Sequence, residues 1–388
     1  MKHLAGAVIA ALMGSAAMAA DPGVTDTEIR IGDVNIMTGP ASFIGRAVSI
    51  GSKIAADEIN AAGGVNGRKI TIVTEDDGYI PARSFQALTK LLEVDEIFAL
   101  NGTSGTANVL AMMPLIEENN LPTIVSTAPN ELVYDPVRPS VFTLGASYSD
   151  AFYAQLKYIH ENTQPENPVY GLIRQDDDFG LAVEHGYERA VKDFGVKDGG
   201  IVRFKKGTSN FAAEMIQMRA AGVNVLANGG IISGAANILS EARKLGMPLE
   251  SAQVWSEDMP LSVNLAAQAG YDYYVGDYVA LTGDDYDAFV EKAKQYVTAD
   301  DIAAMNRYTL VTYAALHAMA EAMGQCGQDL TRACTVENLR KLKDFEVGGI
   351  MAPISFDNDK QLSGTAIAVY QLDAASKTFT RKTDFADY

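Results

Sequence analysis

The chain has 388 residues and a formal net charge of −18, and 48% of its residues are hydrophobic. This length and apolar content are sufficient for about two domains with buried cores. The strong negative charge argues against a nucleic-acid-binding protein, which needs a basic surface, and against attachment to an anionic membrane surface.

The N-terminal residues have the pattern of a secretory signal peptide. Lys2 precedes an apolar run at 4–13, and small residues that end at Ala19 follow it. This order predicts cleavage of residues 1–19. The run is too short for a stable membrane anchor. We therefore expect an exported protein in the periplasm that is not inserted into the membrane after cleavage.

The first half of the chain alternates between short apolar segments and helical patterns. Strands are predicted at 29–36, 70–73, 97–100 and 123–125, and helices at 45–62, after Pro81 and at 105–119. This alternation is typical of βαβ units in a parallel sheet.

A second series of the same kind begins near Asp150. Strands are predicted at 169–173, 201–204, 223–227 and 254–255, and helices at 150–162, 180–194, 211–221 and 234–245. Further helices at 286–296 and 303–323 and short strands around Ile354 and at 366–371 complete the chain. The pattern predicts an α/β protein with two doubly wound parallel-sheet lobes rather than one long sheet.

The segment LNGTSGTANV at 100–109 lies where a predicted strand leads into a helix. In open α/β sheets, ligands bind at the carboxyl ends of the strands. Thr103, Ser104 and Thr106 supply hydroxyls there, and Thr127 follows the neighbouring strand. The free N–H groups at the helix start also attract anions, so we predict a carboxylate site. The alternative is that these residues only cap the helix.

The same loops offer little for catalysis. Ser104 does not lie in a G-x-S-x-G motif, and no histidine falls in the loops at the strand ends. Nucleotide-binding motifs are absent, and the histidines do not repeat at the spacing of metal ligands. We therefore expect neither an enzyme nor a cofactor or metal site.

The two cysteines, Cys326 and Cys334, are separated by a short polar segment. An even number of cysteines in an exported protein favours a disulfide between them. Two reduced thiols are the alternative.

Several motifs together resemble those of a known family. They are EIRIGDVNIMTGPASFIG (28–45), AADEINAAGGVNGRKI (55–70) followed by EDDGYIPARS, TSGTAN (103–108), DDDFG (176–180) and NGGIISG (228–234). The sequence is similar, from about Glu28 nearly to its C-terminus, to the periplasmic solute-binding proteins of ABC transporters for branched-chain amino acids. The resemblance implies the type I periplasmic binding fold, in which two lobes are joined by a hinge and enclose an interlobe cleft.

The resemblance also implies roles for individual residues. Ser104 and Thr127 match the groups that hold the carboxylate of the ligand, with a helix N–H near Thr106, and Glu257 matches the acidic residue that meets the ammonium.

The side-chain end of the pocket departs from the family pattern. Phe179 matches a flanking aromatic residue, whereas Ile44 and Ile231 stand where tyrosines often occur, so we expect a more apolar pocket. We also expect Tyr79 at the cleft rim.

Family precedent places three chain crossings between the lobes. We place them near Ser147, Tyr278 and Pro353. This predicts one lobe at 20–146 and 279–352 and the other at 147–278 and 353–388.

The expected function is the binding component of an ABC importer. It would capture a small carboxylated solute, most simply a branched-chain or other apolar amino acid, by hinge closure and deliver it to a permease in the inner membrane. The alternatives are a ligand-sensing receptor of the same fold and a protein that binds a non-amino-acid carboxylate, such as an aromatic acid, or an amide.

Overall fold

Two β-sheets, each covered by α-helices, organise the chain. The computed structural model describes residues 21–255 and 260–388. The predicted signal peptide and Glu257 therefore lie outside the described residues. Within these two ranges, no helix has both the length and the hydropathy that are needed to cross a membrane.

The first sheet is built from the N-terminal part of the chain. Its elements are β1 (Glu28–Asn35), α1 (Ser42–Ala61), β2 (Lys69–Asp76), α2 (Pro81–Glu93), β3 (Ala99–Thr103), α3 (Thr106–Glu118), β4 (Thr123–Val125), α4 (Glu131–Tyr134) and β5 (Val141–Thr143). The strands pair in the order β2-β1-β3-β4-β5, and each pair is parallel. All residues of β3 are buried, as expected for a central strand that is covered on both faces.

The second sheet begins after β5. Its elements are α5 (Tyr148–Asn162), β6 (Val169–Gln175), α6 (Asp178–Phe194), β7 (Lys197–Phe204), α7 (Ala212–Ala221), β8 (Val225–Gly229), α8 (Ser233–Lys244), β9 (Glu250–Gln253), α9 (Pro260–Ala269) and β10 (Tyr273–Asp277). The helices α10 (Asp284–Ala293), α11 (Ala299–Ala304), α12 (Arg307–Gly324) and α13 (Arg332–Lys341) follow, and then β11 (Ala368–Asp373) and β12 (Thr378–Arg381). The strand order is β12-β11-β10-β9-β8-β6-β7. The pairs from β7 to β10 are parallel, whereas β11 and β12 add antiparallel pairs at one edge.

Helix α12 returns the chain to the first sheet, where it packs against α1. A Cβ atom at Gly51 would lie 2.4 Å from the Thr309 carbonyl oxygen, so this close approach of the helices requires glycine. The Thr309 hydroxyl also donates to the Ala47 carbonyl at 3.1 Å. Because β11 then rejoins the second sheet, the chain passes between the sheets after β5, after β10 and after α13. The residue bounds that we assigned to the two lobes stay a prediction.

The predicted disulfide is confirmed. Cys326 and Cys334 are bonded, and their Cα atoms lie 6.0 Å apart. The bond joins the turn after α12 to the first turn of α13.

The predicted strand at 254–255 is wrong. β9 ends at Gln253, and the next two residues leave the sheet toward the cleft. Trp255 stacks on Tyr148, with the ring centroids 4.5 Å apart, so its burial comes from aromatic packing and not from strand pairing.

Two C-terminal predictions also need correction. The strand expected around Ile354 is a single bridge to Phe345. The helix expected at 303–323 is interrupted between α11 and α12. The Asn306 side chain accepts from the Tyr308 N–H at 2.9 Å, and this N-cap starts α12 as a separate helix.

Candidate functional site

A pocket lies between the two sheets, at the carboxyl ends of their strands. We call it the inner pocket. Among the described residues it is lined by Ile36, Ala41, Ile44, Tyr79, Ser104, Gly105, Thr106, Thr127, Tyr148, Phe179, Ile231, Val254 and Tyr308. Its empty volume is about 470 Å³. The loops after β1, β2, β3 and β4 form one side, and the loops after β8 and β9 contribute to the other, as the topology of parallel sheets predicts.

The polar end of the inner pocket contains two buried hydroxyls. Ser104 is 2% exposed and Thr106 is 3% exposed. Neither hydroxyl oxygen has a hydrogen-bond partner within the described ranges. The N-cap of α3 is Gly105, and no side chain caps this helix. The alternative in which these residues only cap the helix is therefore not supported.

Thr127 stands beside this end of the pocket with a different hydrogen-bonding state. Its hydroxyl donates to the Thr103 carbonyl, so its oxygen retains only acceptor capacity toward a ligand. Thr103 itself is buried in β3 and does not belong to the lining residues described above. The structure thus brings Ser104, Thr106 and Thr127 together at the pocket, and it places Thr103 in the adjoining strand β3, outside the pocket lining.

The loop after β2 is held in a specific conformation next to α3. Tyr79 has φ +64°, and its N–H donates to an Asp77 carboxylate oxygen at 2.8 Å. The same carboxylate accepts from the Ser84 hydroxyl at 2.7 Å and from the Asn108 amide at 2.8 Å. Asp77 therefore ties the turn that carries Tyr79 to helices α2 and α3.

Gly105 is required by this arrangement. Its φ is +82°, and a Cβ atom there would lie 2.4 Å from a carbon of the Tyr79 ring. The ring edge therefore packs directly on the backbone at the start of α3.

Below the pocket, Asp33 supports the end of β3. Its carboxylate accepts from the Gly102 N–H at 2.8 Å and from the Ser52 hydroxyl at 2.7 Å. The register between β1 and β3 shifts between Gly32 and Asp33, so the carboxylate replaces a regular strand contact. Complete burial raises the pKa of Asp33 to about 6, although both hydrogen bonds lower it.

The other end of the inner pocket is apolar and aromatic. Phe179 packs edge-on against Tyr148, with the ring centroids 4.9 Å apart. Ile44 and Ile231 line the pocket, without the hydroxyls that tyrosines would supply. Burial raises the pKa of the Tyr148 phenol well above its usual value, so this group stays neutral.

Sequence reasoning did not identify Tyr148 or Tyr308. Tyr148 is the first residue of α5 and comes soon after β5, a position that resembles the other strand-end loops. Tyr308 lies on α12, far along the chain, and no local signal places it near the pocket.

A buried ion pair lies where β10 leads back toward the first lobe. The Arg307 Nε and Nη2 atoms donate to the two Asp277 carboxylate oxygens at 2.6 and 3.0 Å, and both side chains are fully buried. The guanidinium carbon is 4.7 Å from the centroid of the Trp255 ring. This pair joins the end of the second sheet to the start of α12 and fixes the aromatic stack beside the pocket.

The two lobes also touch directly. The Asn130 amide donates to the Asp178 carbonyl at 3.0 Å. Ile232, at the start of α8, packs in an apolar cluster with Ile36, Ile44 and Tyr308. The inner pocket is therefore enclosed by contacts between the lobes.

One predicted site residue has no geometry in the structure. Glu257 lies outside the described residues, so its direction relative to the pocket stays a prediction. In residues 21–255 and 260–388, no group of three or more His, Cys, Asp or Glu side chains is arranged to hold a metal ion.

Comparison with known proteins agrees with the fold. The family described as "Periplasmic binding protein" matches residues 28–377. The leucine-specific-binding protein of Salmonella typhimurium is 26% identical, over 98% of this chain and 100% of the relative.

Solved structures share the same architecture. A branched-chain amino acid ABC transporter protein from Thermus thermophilus with bound valine has a TM-score of 0.82 at 18% identity, covering 94% of this chain and 98% of its own. A solute-binding protein from R. palustris in complex with 4-hydroxybenzoate has a TM-score of 0.81 at 15% identity, and the match covers 93% of this chain and 97% of that protein's chain. The family match over most of the sequence, together with two lobes that enclose a pocket at the strand ends, means that this chain belongs to the periplasmic binding protein family.

Proposed function

We propose that this chain binds an apolar α-amino acid in the inner pocket and serves as the periplasmic substrate-binding component of an ABC importer. The observation that carries the proposal is the pair of buried hydroxyls on Ser104 and Thr106, which have no partner in the described part of the chain and lie beside an uncapped helix start. Leaving buried polar groups unpaired costs free energy, and a ligand carboxylate would satisfy them.

The carboxylate would lie at the N-terminus of α3. Two hydroxyl donors and the first-turn N–H groups converge there, and the helix dipole adds a favourable field. Hydrogen bonds to a charged group are stronger than those between neutral groups.

The ammonium would lie near Thr127, in place of the carboxylate that the family resemblance implies for this residue. Because the proton of this hydroxyl is already donated to Thr103, its oxygen can accept from an ammonium, which has only donors. The family resemblance adds Glu257 as the opposite charge. We propose that this carboxylate faces the closed cleft and selects zwitterions over simple anions.

The ligand side chain would contact the apolar wall formed by Ile44, Phe179 and Ile231. The names of the Salmonella relative and of the Thermus structure support a branched aliphatic side chain for this chain also. The R. palustris structure with 4-hydroxybenzoate supports an aromatic carboxylate as the second candidate, and the aromatic residues Tyr148, Phe179 and Tyr308 suit such a ring.

Closure of the lobes would couple binding to transport. A ligand that contacts both lobes favours the closed arrangement, and a permease in the inner membrane would recognise that form. Residues 1–19 would direct export to the periplasm and would be cleaved off on export, and no catalytic step is part of this proposal.

A thermal-shift screen of the mature protein tests the proposal. The panel contains amino acids, aromatic acids and amides, because a ligand that binds only the folded state raises the Tm. We expect the largest increases with leucine-like or phenylalanine-like amino acids. Larger increases with aromatic acids or amides than with any amino acid would contradict the proposed ligand class.

A further inference from the structure

The inner pocket continues into a second and larger space, which we call the outer groove. Among the described residues, the outer groove is lined by Ile36, Thr38, Pro40, Ala41, Gly78, Tyr79, Ile80, Pro81, Gln175, Lys206, Gly207, Ile231, Ile232 and Ser233. Its empty volume is about 1120 Å³, compared with about 470 Å³ for the inner pocket. Ile36, Ala41, Tyr79 and Ile231 line both spaces and therefore form the boundary between them.

Tyr79 has the largest side chain at this boundary, and its backbone is fixed. Asp77 accepts from its N–H, and its φ of +64° is uncommon for a residue with a side chain. The ring edge rests on the backbone of Gly105, where there is no room for a Cβ atom. On this side, the first lobe holds the ring in place.

The second lobe holds the same ring from across the cleft. The Lys206 Nζ atom lies 3.2 Å from the centroid of the Tyr79 ring and donates to the Tyr79 carbonyl at 2.9 Å. Lys206 follows β7, so this contact depends on the relative position of the two lobes. A cation over an aromatic face is attracted by the ring, and more strongly where water is partly excluded.

We propose that Tyr79 is a specificity-determining residue that forms the wall between the inner pocket and the outer groove and so limits how far a ligand side chain can extend toward the groove. Lys206 is the positioning residue that keeps the ring in this place. A short side chain fits in front of the ring, whereas a long one needs the space that the ring occupies. The inference rests on the proposed function, because it assumes that the ligand is anchored by its carboxylate at Ser104 and Thr106.

A length series measures this limit. Norvaline, norleucine and the straight-chain amino acids of eight and ten carbons are titrated into the mature protein by isothermal calorimetry. The unaltered protein is expected to bind norleucine and to lose affinity for the longer members. In Tyr79→Ala, the affinity for the ten-carbon amino acid should rise on the order of tenfold or more relative to the affinity for norleucine, because the added methylenes enter the outer groove and are buried there.

Three further variants separate the ring from general structural effects. Tyr79→Phe keeps the ring and should keep the limit. Lys206→Met removes the charge but keeps an unbranched stem, so it should shift the limit in the same direction as Tyr79→Ala but less. Ile80→Ala is the matched control, since Ile80 lines the outer groove but not the inner pocket, and the substitution should leave the length limit unchanged.

The same lengths are also measured as straight-chain carboxylic acids, which lack the amino group. Preference of the unaltered protein for the acids over the amino acids would contradict the proposed function alone. The inference is judged by the change in the length limit between the unaltered protein and Tyr79→Ala, in whichever series binds. The role of Tyr79 in length selection is overturned if Tyr79→Ala binds no long member of either series more tightly than the unaltered protein does. It is also overturned if the affinities for all members fall by the same factor.

Discussion

The hydroxyls of Ser104 and Thr106 are buried in the lining of the inner pocket, and neither has a hydrogen-bond partner in residues 21–255 and 260–388. Removing such a group does not break a bond within the ligand-free protein. It removes a donor that the proposed ligand would use. A binding role and a structural role therefore predict opposite effects of the same substitution on stability.

Ser104→Ala is expected to weaken ligand binding by roughly 1.5 to 3 kcal/mol, which is on the order of tenfold to a hundredfold, because it removes a hydrogen bond to a charged group. The free energy of unfolding without ligand should stay the same or rise, since an unpaired buried hydroxyl is replaced by a methyl group. Calorimetry and urea unfolding measure the two effects, with the exposed Ser209→Ala as the control. If Ser104→Ala lowered the free energy of unfolding and left the ligand affinity unchanged, the role of Ser104 would be purely structural.

Asp33 gives a pH-dependent prediction. Its folded-state pKa of about 6 lies above the ordinary value of 3.8, mainly because burial disfavours the charged form. The folded state therefore binds the proton more tightly than the unfolded state. The stability that comes from this tighter proton binding is fully present below the pKa of Asp33 in the unfolded chain. It is lost as the pH rises through the folded-state pKa of about 6.

In the unaltered protein, deprotonation of Asp33 should lower the free energy of unfolding as the pH rises from 4 to 6.5. In Asp33→Asn this decrease should be smaller by up to about 3 kcal/mol, since each pKa unit corresponds to about 1.4 kcal/mol. Asparagine keeps the shape and one acceptor for the Gly102 N–H. Urea unfolding at several pH values measures the slope, and the exposed Asp26→Asn is the control. An unchanged slope in Asp33→Asn would mean that this carboxylate does not titrate in that range.

At the level of elements, the strand-to-helix connection at β3 and α3 could be predicted from sequence because hydrophobic periodicity changes there over a few residues. The hydroxyls that follow β3 and β4 were predicted to meet because parallel strands end at the same edge of a sheet, and Ser104, Thr106 and Thr127 do line one pocket. Such features depend on local sequence and on topology.

The elements that could not be predicted depend on tertiary contacts. β5 has three residues and β10 has five, all buried, and such short strands carry little periodicity. Tyr308 reaches the pocket only because α12 crosses back to the first lobe, and Trp255 is buried by aromatic stacking. The internal hydrogen bond of Thr127 also follows from a three-dimensional contact between adjacent strand ends.

The disulfide between α12 and α13 gives a prediction at this scale. Replacing Cys326 and Cys334 together with serine should lower the free energy of unfolding by roughly 2 to 3 kcal/mol, because a short loop is no longer closed in the unfolded chain. Ligand affinity should not change, since neither cysteine lines the inner pocket. Urea unfolding with and without reductant, supported by intact mass, measures the effect. Equal stability of the oxidised protein and the double variant would contradict it.

At the scale of the whole molecule, the contacts between the lobes describe a closed cleft. Ile232 has φ +56°, an unusual conformation for a β-branched residue that costs about 1 to 3 kcal/mol. Its side chain packs with Ile36, Ile44 and Tyr308 across the cleft. Lys206 and Asn130 add hydrogen bonds between the lobes. A ligand held by both lobes would add to these contacts and favour closure further.

The central claim is that the closed cleft selects a zwitterion anchored by its carboxylate. The most direct measurement is calorimetric titration of leucine and phenylalanine against the deaminated acids with the same side chains, for the unaltered protein and for Glu257→Gln. The amino acids should bind at least about a hundredfold more tightly, because a simple anion would face an unpaired carboxylate, and Glu257→Gln should narrow this difference. Tight binding of a deaminated acid by the unaltered protein would contradict the claim and leave a carboxylate-binding protein of the same fold.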